Sequence, residues 1–432
     1  MPELPAFNLG PPPTPLPGKV ILTVDDILYP YIWVFYAAFL VAFMFTPVFR
    51  RVAIMWGIID KPDGVRKMHR EAVAYLGGAA VFLGWLCGVS VSQICQWHVG
   101  QYAVFGLSDR ITVPPVAVFG ATLVVLLGLW DDIRHIKPIM KIVVQVAAAC
   151  MLLWAGFGRT LTAPFVDAFV ILLLNYTGLE ITKDLQFWIV AVSSFAFTIA
   201  IVVFCCNAAN LMDGLDGLCS GVTAIIAIGF VLLSIHIAQF PQLANPASVN
   251  RDALRVVLGL ALLGSVLGFI PFNFNPASIF MGDAGSLFLG FSCAFMIILL
   301  GEQEAKWLLA GLVMFALPVL DTALAFARRK IAGRKLFSPD KQHLHHQLVA
   351  RGLSVKQAVL TAYALAIFFV LLGLAVIYMR TRYAGAIYLV LFCGIIVAAY
   401  KMGMIHEKVI IKRVPPRRES PEAESGESKV WD

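Results

Sequence analysis

The sequence predicts an all-α, polytopic membrane protein of about 11 transmembrane helices, with its N terminus outside and its C terminus in the cytoplasm. Three observations predict it. Hydrophobic residues fill 60% of the 432 positions and charged residues 14%, with a mean hydropathy of +0.83; ordinary soluble proteins have about 45–50% and about 25%. Too little polar surface remains to cover a soluble core of this size, and a disordered chain needs the opposite composition. Apolar runs then recur at close to the roughly 20 residues that cross a roughly 30 Å hydrocarbon layer. Counted from an outside N terminus, those runs put 24 of the 33 Lys and Arg on one face and 9 on the other. The basic face is cytoplasmic by the positive-inside rule.

Taken in order, residues 1–29 form a Pro-rich, disordered lead without the basic start of a signal peptide. Helices are expected over 30–50, 75–97, 113–130, 140–157, 187–206, 218–240, 253–272, 285–301, 306–327, 357–379 and 384–402. The apolar stretch 165–176, flanked by Pro164 and Asp167, is too short to span and reads as an interfacial or hairpin element. Residues 30–402 make one transmembrane domain, because the longest cytoplasmic connection, 328–356, cannot fold as a separate unit. Residues 403–432 are a basic, then disordered, cytoplasmic tail. All 8 cysteines lie in or beside apolar runs without a CxxC pair, which suits buried small hydrophobes rather than disulfides or zinc. The net charge of +7 reports topology and gives no reason to expect nucleic acid.

Five polar clusters fall on the basic face. The first, 60–70, carries Asp60, Lys67 and His69 and precedes the Gly77-Gly78 pair, which allows close backbone approach. The second is Asp131-Asp132, followed by Lys137 and Lys141. Adjacent carboxylates at a membrane border are costly unless solvated, paired or metal-bound, and a helix cap needs only one of them. The third, 207–217, holds Asn207, Asn210, Asp213 and Asp216; the two acids are three apart, so a helical turn would put them on one face. It matches no calcium-loop pattern and lacks the Ala-Arg expected of CDP-alcohol phosphotransferases. The fourth, 273–286, contains Asn273, Phe280 and Asp283 and no basic residue; either Asp283 caps the next helix or the group meets a nucleotide–metal ligand. The fifth, 338–346, sets His343, His345 and His346 near Arg334 and Lys341, a set better suited to phosphate oxygens or proton movement than to zinc. Repeated carboxylates recruit a divalent cation, while Lys, Arg and His neutralise phosphate. That pairing is what phosphoryl transfer requires, and the apolar body implies a lipid substrate.

These stretches resemble the polyprenyl-phosphate N-acetylhexosamine-1-phosphate transferases: DKPDGVRKMH at 60–69, DDIRHIKPIMKIVVQ at 131–145, NAANLMDGLDGL at 207–218, NFNPASIFMGDAGSLFLG at 273–290 and SPDKQHLHH at 338–346. Ala74 departs from the family's usual proline ahead of the Gly pair. The resemblance implies transfer of a sugar 1-phosphate from a UDP-sugar to polyprenyl (undecaprenyl) phosphate, releasing UMP, with Mg²⁺ required and Mn²⁺ its nearest substitute. Asp283 then resembles the primary metal ligand, with Asp131 and Asp132 as further candidates. Asp131, Asp132, Lys141, His345 and His346 take catalytic places. Asp60, Lys67, His69, Asn207, Asn210, Asp213, Asp216, Asn273, Phe280, Arg334 and His343 surround the substrates, Phe280 as a stacking partner for uracil. The expected location is the bacterial cytoplasmic membrane, with the site on its cytoplasmic face; a homodimer is compatible with the pattern.

The His-Leu-His-His form is similar to the branch using UDP-N-acetylglucosamine, in cell-envelope polysaccharide synthesis. The competing branch takes UDP-N-acetylmuramoyl-pentapeptide in peptidoglycan synthesis and usually carries three consecutive histidines. A secondary transporter is the alternative of another class, disfavoured because nearly all acids lie at helix ends on one face rather than at the bilayer midplane. Asp321, inside the apolar run 306–327, is the exception.

Overall fold

The computed structural model describes residues 23–60, 73–99, 113–134, 136–239, 249–331, 333 and 343–401. The elements are α1 (Val24–Leu28), α2 (Ile32–Met55), β1 (Ile59–Asp60), β2 (Val73–Ala74), α3 (Gly77–Val99), α4 (Pro115–Arg134), α5 (Pro138–Trp154), α6 (Ala163–Thr177), α7 (Lys183–Met212), α8 (Leu218–Ala238), α9 (Val249–Asn273), α10 (Gly282–Gly301), α11 (Ala305–Met314), α12 (Ala316–Ile331), α13 (Leu344–Ala350), α14 (Val355–Ala375) and α15 (Thr381–Lys401).

The protein is a polytopic helical bundle. Among the described residues, 7 helices are long and apolar enough to cross a membrane, and 8 if α11 and α12 count as one broken span. The remaining apolar helices, α3, α5, α6 and α15, have shorter qualifying stretches. α6 has no buried residue, as befits a peripheral element beside α7.

Three expectations need correction. The run 306–327 is not one helix: α11 and α12 meet at a 70° bend. Pro318 is the physical reason, because it cannot donate to the Met314 carbonyl one turn back and its ring crowds that oxygen. Asp131 and Asp132 do not follow their helix but form its last turn. Asp213 and Asp216 do not share a helical face, since α7 continues to Met212 with Asp213 as its C-cap and Asp216 lies in the following turn.

α10 is the axis of the bundle. Every residue from Ala284 to Gly301 is buried, and the helix packs against α3, α4, α7, α8, α9 and α11. Gly78 permits that density at the start of α3: a Cβ there would overlap the backbone of Gly285. A small antiparallel pairing of β1 with β2 sits beside the same end, in the register Ile59↔Ala74 and Asp60↔Val73. The 279–280 segment joins it, with the Phe280 N–H donating to the Ala74 carbonyl at 2.8 Å. The N terminus of α10 and the segment leading into it are thus held against β2 and the start of α3.

Candidate active site

The acidic groups gather where the last turn of α4, the first turns of α5 and α10 and the C-terminal end of α7 converge. Asp131 accepts from the Ile136 N–H at 2.6 Å, which fixes the turn from α4 into α5. Its other oxygen lies 2.5 Å from the Lys141 ammonium, one turn into α5. Lys141 also pairs with Asp283 on α10, so one ammonium bridges two carboxylates from different helices. The second Asp283 oxygen accepts from Asn210 Nδ2 at 2.8 Å, and Asn210 also donates to Ser286 Oγ at 3.0 Å.

Asp132 does a different job. Its two oxygens accept from the backbone N–H groups of Asp283 at 2.8 Å and Ala284 at 3.1 Å. Those are orphan donors of the first turn of α10, whose N-cap Met281 supplies no side-chain cap. Asp132 therefore caps α10 from another helix, which removes the alternative that Asp283 caps its own helix. Gly282 has φ +72, and a Cβ there would meet the Asp132 carboxylate at 2.6 Å. Glycine satisfies both constraints at once.

The flanking residues brace this cluster. Asn207 donates to Gln145 Oε1 at 2.8 Å, tying α7 to α5 one turn beyond Lys141. Asp216 accepts from Asn275 Nδ2 at 2.8 Å and from the Ala277 N–H at 3.0 Å. The buried Asn273 accepts from Ser220 and donates to the Ile279 carbonyl. Phe280 is half-buried with its ring 5.9 Å from that of Tyr75. Burial, and then the Asp132, Asp213 and Asp283 charges, push the Tyr75 hydroxyl up to about 12. Burial and the neighbouring Asp283, Asp132 and Asp216 carboxylates raise Asp213 to about 8. His343 and His345 are buried, the His345 ring against Gly214, and burial, with His346 beside it, lowers His345 to about 3, so its imidazole is neutral.

Thus Asp131, Asp132, Lys141, Asn210 and Asp283 come together, with Asp213 within electrostatic reach; Asp216 and Asn273 support the adjoining loop; the histidines form a separate group. Asp60 ends β1, and Lys67, His69 and Arg334 lie outside the described residues. Sequence reasoning missed Ser286 and Tyr75. Ser286 had a legible signal, three residues after Asp283 on one helical face; Tyr75 had none.

Among the described residues the donor set is hard oxygen with carboxylates in excess of the one ammonium, Lys141, which lies between two of them, a set that suits Mg²⁺ or Mn²⁺. Among the described residues no three acidic, His or Cys side chains form a metal cage. Such an ion would complete its shell from water and phosphate oxygens, as Mg²⁺ commonly does.

Residues 114–301, from the start of α4 to the end of α10, match the model of glycosyl transferase family 4. The decaprenyl-phosphate N-acetylglucosaminephosphotransferase of Mycobacterium tuberculosis (strain H37Rv) is 33% identical over 346 residues, 76% of this chain and 77% of that one. The chain belongs to glycosyl transferase family 4. Other relatives are similar over more of their length. The probable undecaprenyl-phosphate N-acetylglucosaminyl 1-phosphate transferase of Bacillus subtilis is 29% identical over 393 residues, 89% of this chain and 96% of the relative. The phospho-N-acetylmuramoyl-pentapeptide-transferase of Pelotomaculum thermopropionicum is 30% identical over 352 residues, 77% and 92% respectively. All the carboxylates of the α4–α10 junction lie inside the matched family segment.

Proposed function

We propose that this family-4 protein transfers N-acetylglucosamine 1-phosphate from UDP-N-acetylglucosamine to polyprenyl phosphate, releasing UMP, in a Mg²⁺-dependent reaction on the cytoplasmic face of a bacterial cytoplasmic membrane. The observation that carries this reading is the Asp131–Lys141–Asp283 bridge, with Asn210 on the second Asp283 oxygen, at the mouth of an apolar bundle. The names of the Bacillus and Mycobacterium relatives support the donor and acceptor. A span count of 11 with an outside N terminus is supported by the charge asymmetry and by adding α3, α5 and α15 to the 7 long helices and the bent pair.

In the proposed reaction an oxygen of the lipid phosphate attacks the donor's β-phosphorus. The bond to the bridging oxygen of the diphosphate breaks, and that oxygen leaves on UMP. A phosphate monoester is largely dianionic at neutral pH, its second pKa being about 6. The residues therefore have to position two anions against each other more than to remove a proton. Asp283, with Asp131, would hold the divalent ion, which supplies neutralisation of the charge shared by the phosphates. Lys141 contributes a tethered positive charge between the same carboxylates. Asp132 keeps the α10 N terminus, and with it Asp283, in place. The turn from Asp213 to Gly217 and the 273–280 loop, bound together through Asp216, form the donor-side wall.

The test is purified protein with undecaprenyl phosphate, UDP-N-acetylglucosamine and Mg²⁺. Formation of lipid-linked sugar with one UMP per transfer is expected, and chelation should stop it. Uptake of intact UDP-sugar into proteoliposomes without UMP release would replace the enzyme with a transporter.

A further inference from the structure

Asp321 is a buried acid on the histidine side of the bundle that the phosphotransfer reading leaves unused. It sits in the body of α12, is 6% exposed, and a carboxylate so placed in an apolar helix is expensive unless fully partnered. Its partners are specific. One oxygen lies 3.0 Å from His343 Nδ1, and the other accepts from the Leu344 N–H at 2.7 Å. His343 is the N-cap residue of α13 and makes no side-chain cap of its own, so Asp321 both grips the cap residue and satisfies the first helical N–H.

The next links are packing. The His343 and His345 rings stack with centroids 5.7 Å apart and planes 7° from parallel. His345 is 3% exposed, and its ring lies so close to Gly214 that any Cβ there would collide with Nε2. Among the described residues that Nε2 has no hydrogen-bond partner. It lines a small cavity with Asp321, Met212, Leu218 and Leu344. Gly214 lies between Asp213 and Asp216 in the turn joining α7 to α8.

We infer that Asp321 is a positioning residue: through His343 and the start of α13 it seats His345 against Gly214 and so fixes the turn that carries Asp213 and Asp216. Its link to catalysis rests on the donor-wall assignment above; the mechanical link does not. The bent α11–α12 pair then has a use, since the second limb carries an anchoring carboxylate to the back of the turn.

Two measurements on the detergent-solubilised full chain test this. Hydrogen exchange reads the strap without turnover: Asp321→Ala should speed exchange in peptides covering 343–350 and also 210–218, leaving 138–145 unchanged. Kinetics read its consequence: the KM for UDP-N-acetylglucosamine should rise about tenfold, a loss of about 1.4 kcal/mol of binding, with kcat and the KM for polyprenyl phosphate within about twofold. Asp321→Asn keeps an acceptor for the Leu344 N–H and the side-chain shape, so it should show the same pattern at smaller amplitude; it is the variant read if the alanine form does not fold. His343→Ala combined with Asp321→Ala should cost little more than Asp321→Ala alone, because one link is cut twice. Faster exchange confined to 343–350, or a fall in kcat with donor KM unchanged, overturns the inference. A wild-type protein without transferase activity would remove the donor-wall assignment while the exchange result still decides the strap.

Discussion

Asp132 offers the sharpest separation of structure from chemistry, because an acidic pair invites the assumption that both members act on substrate. Its two oxygens hold the Asp283 and Ala284 N–H groups, and among the described residues no other side chain caps that turn. A hydrogen bond to a charged group contributes about 1.5–3 kcal/mol and an N-cap about 1 kcal/mol. These overlap, so Asp132→Ala, which abandons both donors, should cost about 2–4 kcal/mol. Asp132→Asn keeps one acceptor oxygen and loses the charge facing the helix dipole, for about 1–2 kcal/mol. Turnover should follow the same order. A shift of about 1 Å in the Asp283 carboxylate is enough for about a hundredfold loss, so the alanine variant should be nearly inactive, whereas the asparagine variant should retain about a tenth of wild-type turnover. The assay pairs thermal unfolding in detergent with UMP release. Loss of turnover beyond about a thousandfold in Asp132→Asn, with an unchanged midpoint, would refute the capping argument and assign Asp132 to the chemistry.

The other expectations are these. Asp283→Asn should fold and insert normally but lose nearly all turnover; near-normal Mg²⁺-dependent release of UMP would remove Asp283 from the metal site. Asp213 is raised from the ordinary 3.8 to about 8, so the folded state holds a proton that the unfolded chain has lost, and stability should fall as pH rises from about 4 to about 8. Asp213→Asn should flatten that slope in metal-free unfolding curves; an unaltered slope contradicts the assignment. In a background without reactive cysteines, a cysteine at Arg134 should resist an impermeant reagent added outside, and one at Lys183, at the other end of the bundle, should react; the reverse pattern inverts the topology. kcat/KM should favour UDP-N-acetylglucosamine over UDP-N-acetylmuramoyl-pentapeptide, since the basic residues meet a diphosphate that both donors share and only contacts to the sugar discriminate. Equal values would move the protein to the peptidoglycan branch.

The polytopic helical architecture and the polar clusters at helix ends were legible because both are written locally, as run length and as residue type beside an apolar run. Lys141 stood out by its place just beyond the acidic pair, and it does bridge one member of it, Asp131, to Asp283. What stayed hidden was partnership between distant segments. Nothing near residue 132 says that its carboxylate caps a helix beginning 150 residues later. Asp321 was conspicuous as an acid in an apolar helix, but its partner, His343, is reached only through the fold. The bend at Phe315 had a local sign in Pro318, masked by a hydrophobic run that stays apolar on both sides of the break.

The two ends of α10 show why one charged cluster is a site and the other a fastening. A helix of 20 residues rises about 30 Å, the depth of the hydrocarbon layer, so both ends reach polar surroundings. At the C-terminal end Glu302 pairs with Arg251 and accepts from the Gly158 N–H at 2.5 Å, while Asp252 pairs with Arg255, which also donates to the Leu299 carbonyl. Two acids meet two guanidinium groups, and the network closes on itself. At the N-terminal end the carboxylates of Asp131, Asp132 and Asp283 gather about one ammonium, that of Lys141, among the described residues. Backbone N–H groups and Asn210 offset part of that excess without cancelling its charge. A bundle that needed only stability would gain by closing this end like the other. Leaving it rich in carboxylate makes sense where a cation and two phosphates arrive together, and it puts the unfilled charge at the end of the helix that is buried from Ala284 to Gly301 and least free to move.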